Sequence, residues 1–184
     1  MGTTEQRRLW MYGAVLLMGF SVAGCLKPVP RVAIPASDPS PPVLTWETYN
    51  QQTRERGEIK QDGRTLEVKA GEPYVLTLAV EDLESGVKSV TLAGEGEYAC
   101  ESGGKSEKKP VRLEPQQTAP LPDHENKVPV RAGLTYAVDF ARSGCKEAET
   151  FGGGTLSLVG KGENFAKGVA GKKLQVDLKK PTSK

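Results

Sequence analysis

The sequence predicts an all-β protein, an antiparallel β-sandwich of about seven to nine short strands. Three observations carry this expectation. Short segments in which apolar and polar residues alternate recur through residues 43–180, and strict alternation places one face in a core and the other in water. The 184-residue chain holds 21 glycines and 13 prolines, which break these segments with turns. No stretch shows the 3.6-residue apolar period of an amphipathic helix.

Residues 43–49 are rich in strand formers, among them Val43, Leu44, Trp46 and Tyr49. Leu66, Glu67 and Val68 alternate and are followed by a turn at Ala70, Gly71, Glu72 and Pro73. Residues 74–80 put Tyr74, Leu76, Leu78 and Val80 on one face, and residues 87–92 do the same with Val90 and Leu92. Residues 111–113 form a short candidate, and residues 134–140 bring Leu134, Tyr136, Val138 and Phe140 together. Residues 156–158 and 174–178 complete the series. Between these strands, residues 94–99, with Gly94 and Gly96, read as a hairpin turn, and Lys105, Lys108 and Lys109 read as a solvated loop. Trp46, Tyr49, Tyr74, Tyr98, Tyr136, Phe140, Phe151 and Phe165 are few enough that nearly all are expected in the core.

The chain ahead of the domain has a different character. Arg7 and Arg8 precede an apolar stretch at residues 11–24. It is shorter than the roughly 20 residues a spanning helix needs, and it reads as the core of an export signal. The stretch ends in Val22, Ala23, Gly24 and Cys25. This resembles the lipobox of bacterial lipoproteins processed by signal peptidase II: an aliphatic residue, two small residues that fit an extended peptidase groove, and a thiol that accepts lipid. The resemblance implies removal of residues 1–24, with Val22, Ala23 and Gly24 as the recognition residues. It implies covalent lipid on Cys25, and two or three acyl chains there suffice for stable anchoring. Leu26, rather than an aspartate, follows the cysteine; by the same resemblance this implies the outer membrane, facing the periplasm, with the cell surface as the alternative.

Residues 25–42 are then a tether. Six of residues 26–42 are proline, so helix and central strand are disfavoured. A polyproline-like spacer of this length reaches on the order of 50 Å. The folded domain is expected at residues 43–180, with residues 181–184 as a tail.

A shorter resemblance sits inside the domain. Asp82, followed by Ser85, Gly86, Val87, Lys88, Ser89 and Val90, is similar to a pattern of bacterial immunoglobulin-like domains, where it joins neighbouring strands. Immunoglobulin domains place a tryptophan between their two cysteines, whereas Trp46 precedes both Cys100 and Cys145. Immunoglobulin-like and transthyretin-like sandwiches therefore stand side by side as expectations. With Cys25 given to lipid, Cys100 and Cys145 enter an oxidising space, where pairing is expected. A disulfide closing such a loop contributes about 4 kcal/mol at most, which matters for a core drawn from a chain that is 37% apolar.

Few residues in the sequence suggest chemistry. His124 is the single histidine and lies among turn residues; a general base must be held beside its nucleophile. The Gly94–Ala99 stretch fits a dinucleotide fingerprint in letters but lacks a following helix. Glu81, Asp82 and Glu84 are a weak calcium candidate, clustered but without spaced ligands; no metal and no cofactor beyond the lipid is expected. Formal charge is +2, from 25 basic and 23 acidic residues, and removing Arg7, Arg8 and Glu5 leaves +1, so nucleic acid is not an expected partner. The expected function is a non-enzymatic scaffold or protein-interaction module, held at the membrane and meeting an envelope protein. Binding of a glycan or small ligand is the alternative, and a hydrolase the third reading.

Overall fold

The computed structural model describes residues 28–35, 37, 40–69, 72–138, 145–146 and 149–180. Val22, Ala23, Gly24 and Cys25, together with Ala70, Gly71, Phe140 and residues 181–184, lie outside the described residues. Every regular element among those described is a strand. In chain order they are β1 (Arg31–Ala33), β2 (Val43–Asn50), β3 (Arg56–Ile59), β4 (Arg64–Lys69), β5 (Tyr74–Glu81), β6 (Val87–Ser102), β7 (Lys105–Thr118), β8 (Lys127–Pro129), β9 (Arg131–Val138), β10 (Thr150–Asn164) and β11 (Val169–Lys179).

Nine of these strands make two sheets, in the orders β4-β11-β10-β6-β7 and β3-β2-β5-β9. The alternation read from the sequence places Trp46, Leu76, Leu78 and Val80 on the inner face of the four-stranded sheet. Leu92, Leu156, Leu158, Leu174 and Val176 lie on the inner face of the five-stranded one, and all belong to one buried cluster. The sheets approach closely because Gly160 and Gly162 of β10 present no side chain to the other layer. A Cβ at Gly160 would lie 2.4 Å from Leu78 Cδ2, and one at Gly162 would lie 2.6 Å from Val80 Cγ1.

Several expectations change. Among the described residues there are eleven strands, against an expected seven to nine. The architecture is not wholly antiparallel: β4 pairs with β11 in parallel, Leu174 opposite Arg64. Residues 60–63 carry the chain from edge strand β3 to edge strand β4 of the other sheet, so β4 arrives beside a strand to which no hairpin joins it. Residues 94–99 are not a turn but the middle of β6. Gly94 and Gly96 sit there because neighbouring β10 leaves no room: a Cβ on Gly96 would meet Thr155 O at 2.1 Å. Lys105, Lys108 and Lys109 begin β7 rather than forming a loop. The turn itself is Gly103-Gly104, with φ of 56° and 77° between paired Ser102 and Lys105. Positive φ at both positions is what a tight two-residue hairpin requires and what glycine adopts without strain.

Within the stretch read as a spacer, β1 pairs with β8, Arg31 opposite Pro129 and Ala33 opposite Lys127. Arg31 Nη1 donates to Lys127 O at 2.9 Å and lies 3.5 Å from the Asp123 carboxylate. The Val130 amide donates to Pro30 O at 3.0 Å. This short sheet lies at the end of the domain where β5 stops and β6 starts, since the Asp82 amide donates to Val130 O at 2.8 Å.

The close approach is testable. Gly160→Val should lower the unfolding free energy by about 1–3 kcal/mol, the usual effect of overpacking, seen as a lower urea midpoint with unchanged slope. Gly171→Ala, where the nearest atom is 3.6 Å from the added carbon, should leave the midpoint nearly unmoved. Equal midpoints for the two variants would remove the argument.

Candidate functional site

The outer face of the four-stranded sheet carries the polar half of the same alternation. Thr45, Glu47 and Tyr49 of β2 point away from Leu44 and Trp46, and register sets Tyr49 beside Arg56 of β3 and Val75 of β5. Glu47 falls between Glu58 and Thr77 in the next row. These side chains bound an open trough of about 660 Å³, with Arg131 at its margin. Arg131 Nη2 donates to Glu47 Oε1. Arg56 behaves differently: its guanidinium lies 5.5 Å from the Tyr49 ring centroid, and among the described residues it has no ion-pair or hydrogen-bond partner. A guanidinium on a ring face keeps its forked donors available.

A smaller hollow of about 440 Å³ continues from the trough past Glu47, Glu58 and Arg131 to Lys172. Lys172 is almost wholly buried. Its ammonium donates to Leu44 O at 2.7 Å and to Lys60 O, tying β11 to β2 and to the turn before β4. Burial pushes Lys172 below its ordinary 10.5, with Asp62 opposing the shift.

Glu81, Asp82 and Glu84 do not converge. Asp82 is turned inward, while Glu81 and Glu84 are exposed. Asp82 Oδ1 accepts the amides of Glu84 at 3.1 Å and Ser85 at 2.8 Å, and the Ser85 hydroxyl at 3.1 Å. Asp82 Oδ2 accepts from Asn164 Nδ2 at 2.9 Å. Both oxygens are thus held by protein donors in a local turn that suits aspartate. Asn164 also donates to Ser40 O at 2.9 Å and accepts the Gly168 amide at 2.6 Å. The Asp82-to-Val90 pattern therefore builds a buried polar joint.

Cys100 and Cys145 are joined as a disulfide with their Cα atoms 5.6 Å apart. The Glu149 carboxylate lies close to both sulfurs. Bonded sulfurs are not thiolates, and thiolate is the form that binds metal. Glu149 accepts the Lys146 amide at 2.9 Å and the Lys109 ammonium at 3.0 Å, forming the most enclosed ion pair among the described residues. His124 is exposed, 3.8 Å from Glu125.

The sequence assigned Tyr49 to the core; it lies instead in the trough. Arg56 and Glu58 escaped sequence reasoning because β3 has a single apolar residue, Ile59, and shows no alternation; Arg131 escaped it because that residue only opens β9, ahead of the apolar positions that mark the strand. The wet face of β2, with Glu47 between Thr45 and Tyr49, was the one signal available.

No family model matches the sequence, and no curated protein matches it. Among solved structures the chain is similar to the sporulation control protein Spo0M of Bacillus subtilis, at 8% identity over 74% of this chain and 49% of that one, with a TM-score of 0.32. The chain spans about half the length of that structure, and a likeness of this degree carries no argument.

The corner beside the disulfide has a defined pH dependence. The Lys146 amide and then the Lys109 ammonium hold Glu149 below its ordinary 4.5, and the hydrogen bond to Glu149 raises Lys109 above its ordinary 10.5. Stability from Glu149 is therefore complete above pH 4.5 and is lost as pH falls through its lowered value. Stability from Lys109 is complete below pH 10.5 and is lost as pH rises through its raised value. The thermal midpoint of Glu149→Gln should sit below wild type at pH 7, and the difference should close as pH falls below 4.5. A pH-independent difference would show that the carboxylate charge does not hold this corner.

Proposed function

We propose that this chain is a lipid-anchored envelope protein whose β domain is a non-enzymatic interaction module working through the trough on the four-stranded sheet. The observation that carries the reading is Arg56, a guanidinium laid on Tyr49 and free of any carboxylate among the described residues, inside a hollow with Glu47 and Glu58 on its walls. Arginine presents paired donors to a carboxylate in one plane, and Arg and Tyr, with Trp, are enriched among the residues that dominate protein interfaces. Binding of a glycan or small ligand is a second reading. It is favoured by the volume of about 660 Å³, within the usual range of about 300–1,000 Å³ for small-ligand sites. We read the two packed sheets as an immunoglobulin-like or transthyretin-like sandwich.

The anchor in this proposal is lipid on Cys25 after cleavage behind Val22, Ala23 and Gly24, at the outer membrane and facing the periplasm. Docking of β1 gives the anchor a geometry. Residues 26–30 separate Cys25 from Arg31, and at about 3.1 Å per residue such a segment spans on the order of 15 Å. The β1–β8 end of the domain would then sit near the membrane, and the trough would open sideways.

Two measurements in cells expressing C-terminally tagged protein test this. Labelled palmitate should enter wild type and not Cys25→Ser; label retained by the variant would remove the anchor. Crosslinking should recover a partner with wild type and with Lys161→Ala, on the other sheet. Recovery should fall at least tenfold with Arg56→Ala or Tyr49→Ala, about 1.4 kcal/mol of binding. Recovery unchanged by both trough substitutions would move the function away from this face.

A further inference from the structure

The four sheet edges are not alike. β3 is four residues long and carries Arg56 and Glu58. β4 carries Arg64, Glu67 and Lys69. β7 carries Lys105, Lys108 and Lys109, with Pro110 and Pro115. Short length, charge and proline are the devices that stop an edge from pairing with another chain. β9 has none of them: its eight residues contain one charge, Arg131, which is engaged by Glu47, and residues 132–138 hold neither charge nor proline. On one side β9 pairs with β5 throughout its length. On the other, no backbone hydrogen bond reaches residues 131–138 among the described residues.

The geometry points to a second copy of this chain as the occupant of that edge, paired antiparallel through β9 about Thr135. This goes beyond the trough reading and does not depend on it. The strand is self-complementary in size. With Thr135 opposite Thr135, Gly133 meets Ala137 on the outer face, and Leu134 meets Tyr136 on the inner face. Small therefore opposes small and large opposes large. Charge points the same way, since two neutral edges meet without repulsion, whereas two β7 edges would bring lysines together. Leu134 and Tyr136, with Val111 and Leu113 of β7, are only partly buried against the core. A paired edge would cover Leu134 and Tyr136 from both copies. An edge ladder is small against the roughly 1,200 Å² that stable interfaces bury, so these side chains add what the ladder lacks, and the pairing is reversible.

The test uses full-length protein in its own membrane. Directly opposed Cβ atoms across an antiparallel pair lie about 4.5–5.5 Å apart, near the reach of a disulfide. Thr135→Cys should give a band at twice the chain mass on a non-reducing gel. It should be at least tenfold stronger than that of Thr65→Cys, on the exposed but charged edge β4. Adding Ala137→Lys to Thr135→Cys should abolish the band. Equal bands from positions 135 and 65 would overturn the proposal, and so would a crosslink to a chain of another mass, which would assign the edge to a foreign strand. Should Thr135→Cys not fold, native mass in detergent decides. Wild type should be dimeric and Ala137→Lys, at an exposed position, monomeric with an unchanged melting curve; a monomeric wild type would overturn the pairing.

Discussion

Leu78 faces Gly160, Val80 faces Gly162, and two residues further on Asp82 bonds Asn164. This stepwise match between β5 and β10 is the constraint on which the rest of the molecule depends. It fixes the two sheets in register and at close approach, so that one buried cluster serves both. It ends in a polar joint rather than an apolar one, and the joint extends outward. Asn164 holds Ser40, at the entry to β2, and the Asp82 amide holds Val130, which in turn holds Pro30. A carboxylate with both oxygens occupied resists displacement, because any unpaired buried acceptor carries a desolvation cost. The chain ahead of β2 is thus referenced to the same two residues that align the core.

The sequence made some of this legible and hid the rest for physical reasons. Strands with one face in the core, such as β2, β5 and β11, announce themselves by alternation. Strands whose inner positions are glycine do not. In the middle of β6, Gly94 and Gly96 read as a turn because glycine is a turn residue in most settings, and the close backbone of β10 that requires them is visible only in three dimensions. Edge strands hide differently. β3 and the first half of β7 have few buried positions, so their residues read as loop. The disulfide was predictable from the cysteine count and the oxidising compartment that the lipobox resemblance implies. Three acids near one another were legible as a cluster, but not the fact that one turns inward while two face water. In the trough, Glu47 lay at a polar position of β2, but Tyr49 was expected in the core, and Arg56 arrives from a strand without a pattern, its position over Tyr49 being a matter of register alone.

The polar features divide into those that hold the fold and those that face outward. Asp82, Asn164, Lys172 and the Lys109–Glu149 pair each have their donors and acceptors matched within the domain. Among the described residues Arg56 has only the Tyr49 ring as its partner, and it lies on the sheet that also contains β9. Whatever meets one face of this sheet is therefore in contact with the layer whose edge is least guarded.

The β1–β8 clasp has a mechanical consequence. With Cys25 carrying lipid, as we propose, tension between the membrane and a bound partner would enter the domain through the segment leading into Arg31. Its first resistance would be the Val130–Pro30 hydrogen bond and then a ladder of three residue pairs with one arginine contact, far shorter than the ladders within the two sheets. Peeling it would free the chain from Arg31 up to Ser40, which Asn164 holds, adding on the order of 30 Å of chain at the usual extended rise. The clasp would then act as a slack reserve. At rest the domain is held close and oriented; under load it yields length first and keeps the β5–β10 register intact.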